Sequence, residues 1–96
     1  MARTVPVYDP RGTVETKPVP IAPRVRQLEG VRLAVLDNTK WNANKLLRAL
    51  RERLAAGHRL AAVNYYRKEI FSKNAAPELI SEIAGNNDIV VTAIGD

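Results

Sequence analysis

The chain has 96 residues, no cysteine and a net charge of +5. That length allows one small domain, which buries only about 60% of its unfolded surface, and the lack of cysteine excludes disulfides and thiolate metal sites as added support. No apolar run reaches the roughly 18 residues of a membrane helix, and the first residues lack the layout of a secretion signal, so the expected location is the cytoplasm, with no membrane partner.

Residues 1–30 hold five of the six prolines, at positions 6, 10, 18, 20 and 23. Proline fixes φ and removes a donor, so this stretch cannot form a helix or an inner strand. It reads as an extended arm preceding the domain at 31–96. Asp9-Pro10-Arg11-Gly12 is a turn signal, with proline setting the first central φ and glycine closing the turn. Val5, Val7 and Tyr8 are placed to lay a short extended piece against the domain or a partner subunit.

The first strand is expected at Val31–Leu36, a near-continuous apolar run suited to burial on both faces. Asp37-Asn38-Thr39-Lys40 ends it, and Asn42 follows as an N-cap whose side chain can accept an orphan amide. Ala43, Leu46, Leu47, Leu50 and Leu54 then form one helical stripe, with Gly57 expected at the left-handed position beyond its end. His58, just past that end, reads as a solvated residue near the negative pole of the helix. Leu60–Tyr66 is the second expected strand, its tyrosine pair serving in packing. Pro77 opens a second helix at its first position, with Leu79, Ile80, Ile83 and Ala84 as the buried stripe and Gly85-Asn86-Asn87 as its end. Asp88–Ile94 is the third strand, followed by Gly95-Asp96.

Strand, helix, strand, helix, strand with short connections specifies a parallel sheet built by right-handed crossovers. The expected fold is therefore α/β: a three-stranded parallel sheet in the order 2-1-3 with two helices, half of a doubly wound domain. Ligands of such sheets bind beyond the carboxyl ends of the strands, where the order reverses. By that rule Asp37, Asn38, Thr39 and Lys40 face one crevice with Gly95 and Asp96. The amino end of the first helix points to the same place and favours anions, and Lys40 adds a full charge. The tetrad is equally the chemistry of a tight turn. No glycine-rich dinucleotide fingerprint or P-loop is present, no metal site is indicated, and no cofactor is expected. The third strand would be the most hydrophobic of the three yet lie at a sheet edge with no lysine or proline to guard it, an arrangement that natural sheets avoid. Either a partner pairs with it or further sequence covers it.

The positive charge is concentrated. Residues 31–60 carry seven Lys and Arg against two acids, whereas residues 61–96 carry three against five. Such a cluster attracts phosphate or nucleic acid, or is simply a solvated helix face. No RNA-binding signature or zinc-finger spacing accompanies it, so nucleic acid is not the expected partner.

Taken together, the DPRG turn at 9–12, LEGVRLAVLDNTKWNANKLL at 28–47, RKEIFSKNAAPELISEIA at 67–84 and DIVVTAIGD at 88–96 resemble the amino-terminal half of the UGSC family. Members of that family carry a selenocysteine- or cysteine-Gly-Ser-Cys motif directly after an Ile-Gly-Asp at the end of a strand. The resemblance implies thiol or selenol redox chemistry at a centre following Ile94-Gly95-Asp96, with the reading frame cut at an unrecognised selenocysteine codon. It matches Asp37, Asn38, Thr39 and Lys40 to the family's first-strand motif and Gly95-Asp96 to the lead-in of the redox centre. Lys68 and Ser72 match the second-strand exit more loosely, and Trp41 departs from the pattern, standing where proline is expected. On this reading the substrate is a small thiol or protein thiol, its identity open, and the 96 residues alone lack activity. Two alternatives stand beside it: a non-enzymatic half-domain forming a homodimer through strand 88–94, and a small basic anion or nucleic-acid binder using the helix at 43–56.

Overall fold

A computed structural model describes residues 3–95. The elements run β1 (Arg32–Asp37), α1 (Ala43–Gly57), β2 (Ala62–Arg67), α2 (Pro77–Asn86) and β3 (Ile89–Ala93). All three strands are parallel in the order β2-β1-β3, the α/β topology read from the pattern of elements. Each strand falls within a residue or two of its expected limits, because hydrogen-bond registers rather than hydropathy set strand ends. Leu36 pairs with Tyr66 on one side and Thr92 on the other, and Asp37 with Arg67 and Ala93.

The sheet has two unequal faces. Leu33 and Val35 point to one face and meet Leu47 of α1, forming a cluster of fully buried side chains. Val63, Tyr65, Ile89, Val91 and Leu54 pack around it. Burying a leucine or valine of this kind contributes about 1.5–3 kcal/mol. The opposite face is covered less completely: Ala34 is fully buried, but Val90 remains 51% exposed. On that side Asn87, at the end of α2, bonds Asn64 at 3.0 Å and the Tyr66 hydroxyl at 3.1 Å. β3 has β1 on one side and no strand on the other among the described residues.

Several local expectations are corrected. Leu46 and Ile80 are each 54% exposed, so the buried stripes run through Ala43 and Leu47 in α1 and through Ile83 in α2. The angle at which each helix lands on the sheet chooses among adjacent apolar positions, and a single helix does not encode that angle. Asn42 occupies the N-cap but makes no side-chain capping bond; its backbone is left-handed at φ 64 rather than in the extended region usual for a capping residue. Gly57 is the last helical residue, and His58 terminates α1 in extended conformation with its N–H on the Leu54 carbonyl. The left-handed glycine is Gly30 instead, at φ 76 where the arm turns into β1, and its N–H donates to the Arg59 carbonyl at 2.7 Å. Val5, Val7 and Tyr8 are 74%, 84% and 100% exposed and do not lie on the domain. Residues 3–25 form no helix or strand. The last part of the arm, Ile21–Val25, borders a hollow with Asp88, Ile89 and Val90.

Candidate functional site

The carboxyl end of β1 is a dense knot of turn hydrogen bonds. Asp37 closes the strand and is only 3% exposed. Its Oδ1 accepts the Thr39 N–H at 2.7 Å, and its Oδ2 accepts the Tyr65 hydroxyl at 2.7 Å. A buried carboxylate is tolerated when both oxygens are bonded in this way. The Asp37 turn holds Thr39 in a left-handed conformation at φ 67, with its hydroxyl on the Asn38 carbonyl at 2.6 Å. Short polar side chains that bond their own backbone two residues on are what make such a turn.

Asn38 ties β1 to β3. Its backbone N–H donates to Ala93 O at 3.2 Å, and its Nδ2 donates to Ile94 O at 2.7 Å. Its Oδ1 accepts the Lys40 N–H at 3.3 Å. Next along the strands, the Thr92 hydroxyl donates to Leu36 O at 2.9 Å. The Ala93–Ile94 peptide is cis. The hydrogen bonds of Asn38 and Thr92 fasten the backbone leaving β3 beside the loop leaving β1. Asp96, expected at the same crevice, lies outside the described residues; Gly95 is exposed at the crevice end of β3.

Two hollows open at this end of the sheet. One, of about 570 Å³, lies between the amino end of α1 and the exit of β2, and Asp37, Thr39 and Lys40 border it. The other, of about 750 Å³, is lined by Lys40, Trp41, Phe71, Ser72 and Ile94. Lys40, Trp41 and Phe71 line both. Asp37 and Thr39 therefore line the first hollow and Ser72 the second, with Lys40 common to both and Asn38 tying β1 to β3 beside them. Lys68 joins them through its backbone, its N–H donating to the Asp37 carbonyl at 2.9 Å, while its side chain borders a different hollow and its Nζ donates to Lys73 O at 2.6 Å.

Sequence reasoning does not single out Tyr65, Arg67 or Phe71 as site residues, and it reaches Lys45 and Arg48 only through the basic face of the helix at 43–56, yet all of them line the first hollow. Tyr65 is more than the packing residue its strand suggests. The parallel register that pairs it with Val35, two residues before Asp37, brings its hydroxyl to the carboxylate. Lys45 and Arg48 are three apart on α1, so their common face is legible from helical spacing. Burial first, and then its hydrogen bond to the negative Asp37, raise the Tyr65 phenol above its ordinary pKa, against the opposing pull of Arg48 and Arg51. The ring of Tyr65 also carries the Arg51 guanidinium at 5.7 Å from its centroid.

The sequence contains no cysteine, Asp37 is fully engaged, and no cluster of three potential metal ligands occurs among the described residues. No helix among the described residues is long and apolar enough to cross a membrane.

Fold and site together define an open, parallel α/β domain with a polar crevice at the carboxyl ends of β1 and β3. The model of the UGSC family matches residues 6–96, and the chain belongs to that family. No curated protein and no solved structure matches it.

Proposed function

We propose that the chain forms the amino-terminal part of a thiol or selenol redox protein whose reactive centre follows Ile94-Gly95-Asp96 at the β1–β3 crevice. The observation that carries the reading is the Asn38 tie: its Nδ2 on Ile94 O at 2.7 Å and its N–H on Ala93 O hold the exit of β3 against the β1 loop. A chalcogen entering there, at the amino end of a following helix, gains dipole stabilisation of its anionic, nucleophilic form. With a resolving cysteine three residues on, the oxidised centre is a selenium–sulfur or disulfide bond; two substrate thiols join as a disulfide and pass two electrons and two protons to it, cleaving it to its two reduced groups. The residues of this chain would orient that pair and hold the substrate; the absence of cysteine among them suits a reducing, cytoplasmic setting.

The nucleotide sequence after codon 96 tests the proposal. An in-frame TGA or cysteine codon followed by Gly-Ser-Cys codons is the expected result. Any other stop, or unrelated codons, overturns it.

A second reading, a homodimer joined through β3, rests on the free side of that strand and on Val90, which is 51% exposed. Parallel-sheet strands are ordinarily buried on both faces, and a hydrophobic edge invites pairing. Size-exclusion chromatography with hydrogen exchange over residues 89–93 separates the two: a dimer with protected β3 amides supports pairing between copies, and a monomer with rapidly exchanging ones removes it.

A further inference from the structure

The hollow beside Asp37 holds more positive charge than the fold uses, and we infer that it is a binding site for a phosphate ester carried on an aromatic or apolar body. Its volume of about 570 Å³ lies within the usual range of small-molecule sites, about 300–1,000 Å³. Lys45 and Arg48 of α1 and Arg67 at the end of β2 line it, with Lys40 at the boundary with the neighbouring hollow. The single carboxylate in its wall, Asp37, is only 3% exposed and accepts from the Thr39 N–H and the Tyr65 hydroxyl, so its one negative charge offsets only part of the charge of Lys45, Arg48 and Arg67.

The ion pairs Arg11–Asp9, Arg32–Asp88 and Arg59–Glu29 all lie elsewhere, and none among the described residues engages Lys45, Arg48 or Arg67. Like charges three apart on a helix repel, and the first turn of α1 contains no acid to offset them. Nothing internal to the fold gains from that crowding; an anion with two negative charges would relieve it. Arginine matches phosphate oxygens through its planar fork of donors. The apolar part of the ligand is argued separately. Trp41 and Phe71 flank the opening and are 87% and 57% exposed, although both are large enough to anchor a core. Rings left in water beside a cationic hollow are suited to stack on a ligand.

The competing explanation is a solvated basic helix face with no specific site. It is separable because Arg53, also on α1 and exposed, does not line the hollow. Trp41 is the only tryptophan, so its fluorescence reports occupancy directly. The experiment titrates the 96-residue chain with phenyl phosphate, inorganic phosphate and phenol at fixed ionic strength. Phenyl phosphate is expected to give a saturable change, inorganic phosphate a weaker one, and phenol none. The double variant Arg48→Gln/Arg67→Gln is expected to weaken binding about tenfold or more, and Arg53→Gln less than about twofold. Circular dichroism establishes that each variant is folded; should the double variant not be, Lys45→Gln and Arg67→Gln singly carry the comparison. No saturable response in the unmodified chain overturns the site, as does an equal loss with Arg53→Gln. Equal affinity for inorganic and phenyl phosphate overturns the aromatic half. No redox chemistry enters this measurement, so its outcome does not depend on the codons beyond 96.

Discussion

Replacing Tyr65 by phenylalanine removes one oxygen atom and tests the knot on which the crevice is built. The Tyr65 hydroxyl donates to Asp37 Oδ2 at 2.7 Å, and Asp37 is 3% exposed, so water cannot readily take the vacated position. Hydrogen bonds to charged groups contribute about 1.5–3 kcal/mol. Tyr65 itself is only half-buried, which places the expected loss toward the lower end, about 1.5–2 kcal/mol. With a urea m-value of about 1.5 kcal/mol per molar, the unfolding midpoint falls by about 1 M. Tyr66→Phe is the matched control. Its hydroxyl accepts from the uncharged Asn87 amide at 3.1 Å, a bond worth about 0.5–1 kcal/mol.

The same contact carries a pH signature. Burial and the Asp37 bond raise the Tyr65 pKa in the folded chain. A group whose folded pKa is raised stabilises fully below the unfolded value, here about 10, and that contribution is lost as pH climbs through the folded value. The unmodified chain therefore loses stability above pH ~10, and Tyr65→Phe is expected to flatten that decline. Urea titrations followed by circular dichroism at neutral and alkaline pH give both numbers, and ultraviolet phenolate absorbance follows the ionisation itself. Equal losses from Tyr65→Phe and Tyr66→Phe, with an unchanged alkaline decline, would refute the argument that the Asp37–Tyr65 bond holds the carboxyl ends of β1 and β2 together.

Three further predictions use other parts of the molecule. Leu47 is fully buried against Leu33 and Val35, so Leu47→Ala is expected to cost about 2–5 kcal/mol; in a domain this small, that shows in thermal unfolding as a largely lost transition near room temperature. Asn38→Ala removes the tie to Ile94 and the acceptor for the Lys40 N–H, and should accelerate amide exchange at Asn38 and Lys40 about tenfold, leaving the central amides of β1 unchanged. Unaltered exchange at both would show that the tie is not needed to hold the loop. At the opposite end of the sheet, hydrogen bonds from the Arg32 guanidinium and backbone lower the pKa of Asp88. A lowered carboxyl pKa stabilises above the unfolded value and is lost as pH falls through the folded one, so acid should loosen the start of β3 below pH ~4, and Asp88→Asn should remove that component from an acid titration.

The order of elements and the parallel sheet with β1 in the middle were legible in the amino-acid sequence. Apolar periodicity marks strands and helices, short connections force crossovers of one hand, and the crossover rule places loops 37–40 and 94–95 at the same end. The family was legible too, through four stretches spread along the chain, and the match over residues 6–96 agrees. Pairwise facts across the sheet were not. Tyr65 reaches Asp37 only because the register sets Val35 opposite Tyr65; a slip of one residue would turn the ring to the other face. Leu46 lies in water and Leu47 in the core because the tilt of α1 on the sheet, a property of two packed elements, chooses between neighbours that periodicity treats alike. The cationic hollow likewise needs α1 and the exit of β2 side by side before Lys45, Arg48 and Arg67 become one site. Local chemistry decides which elements form, and contacts between residues distant in sequence decide what those elements hold between them.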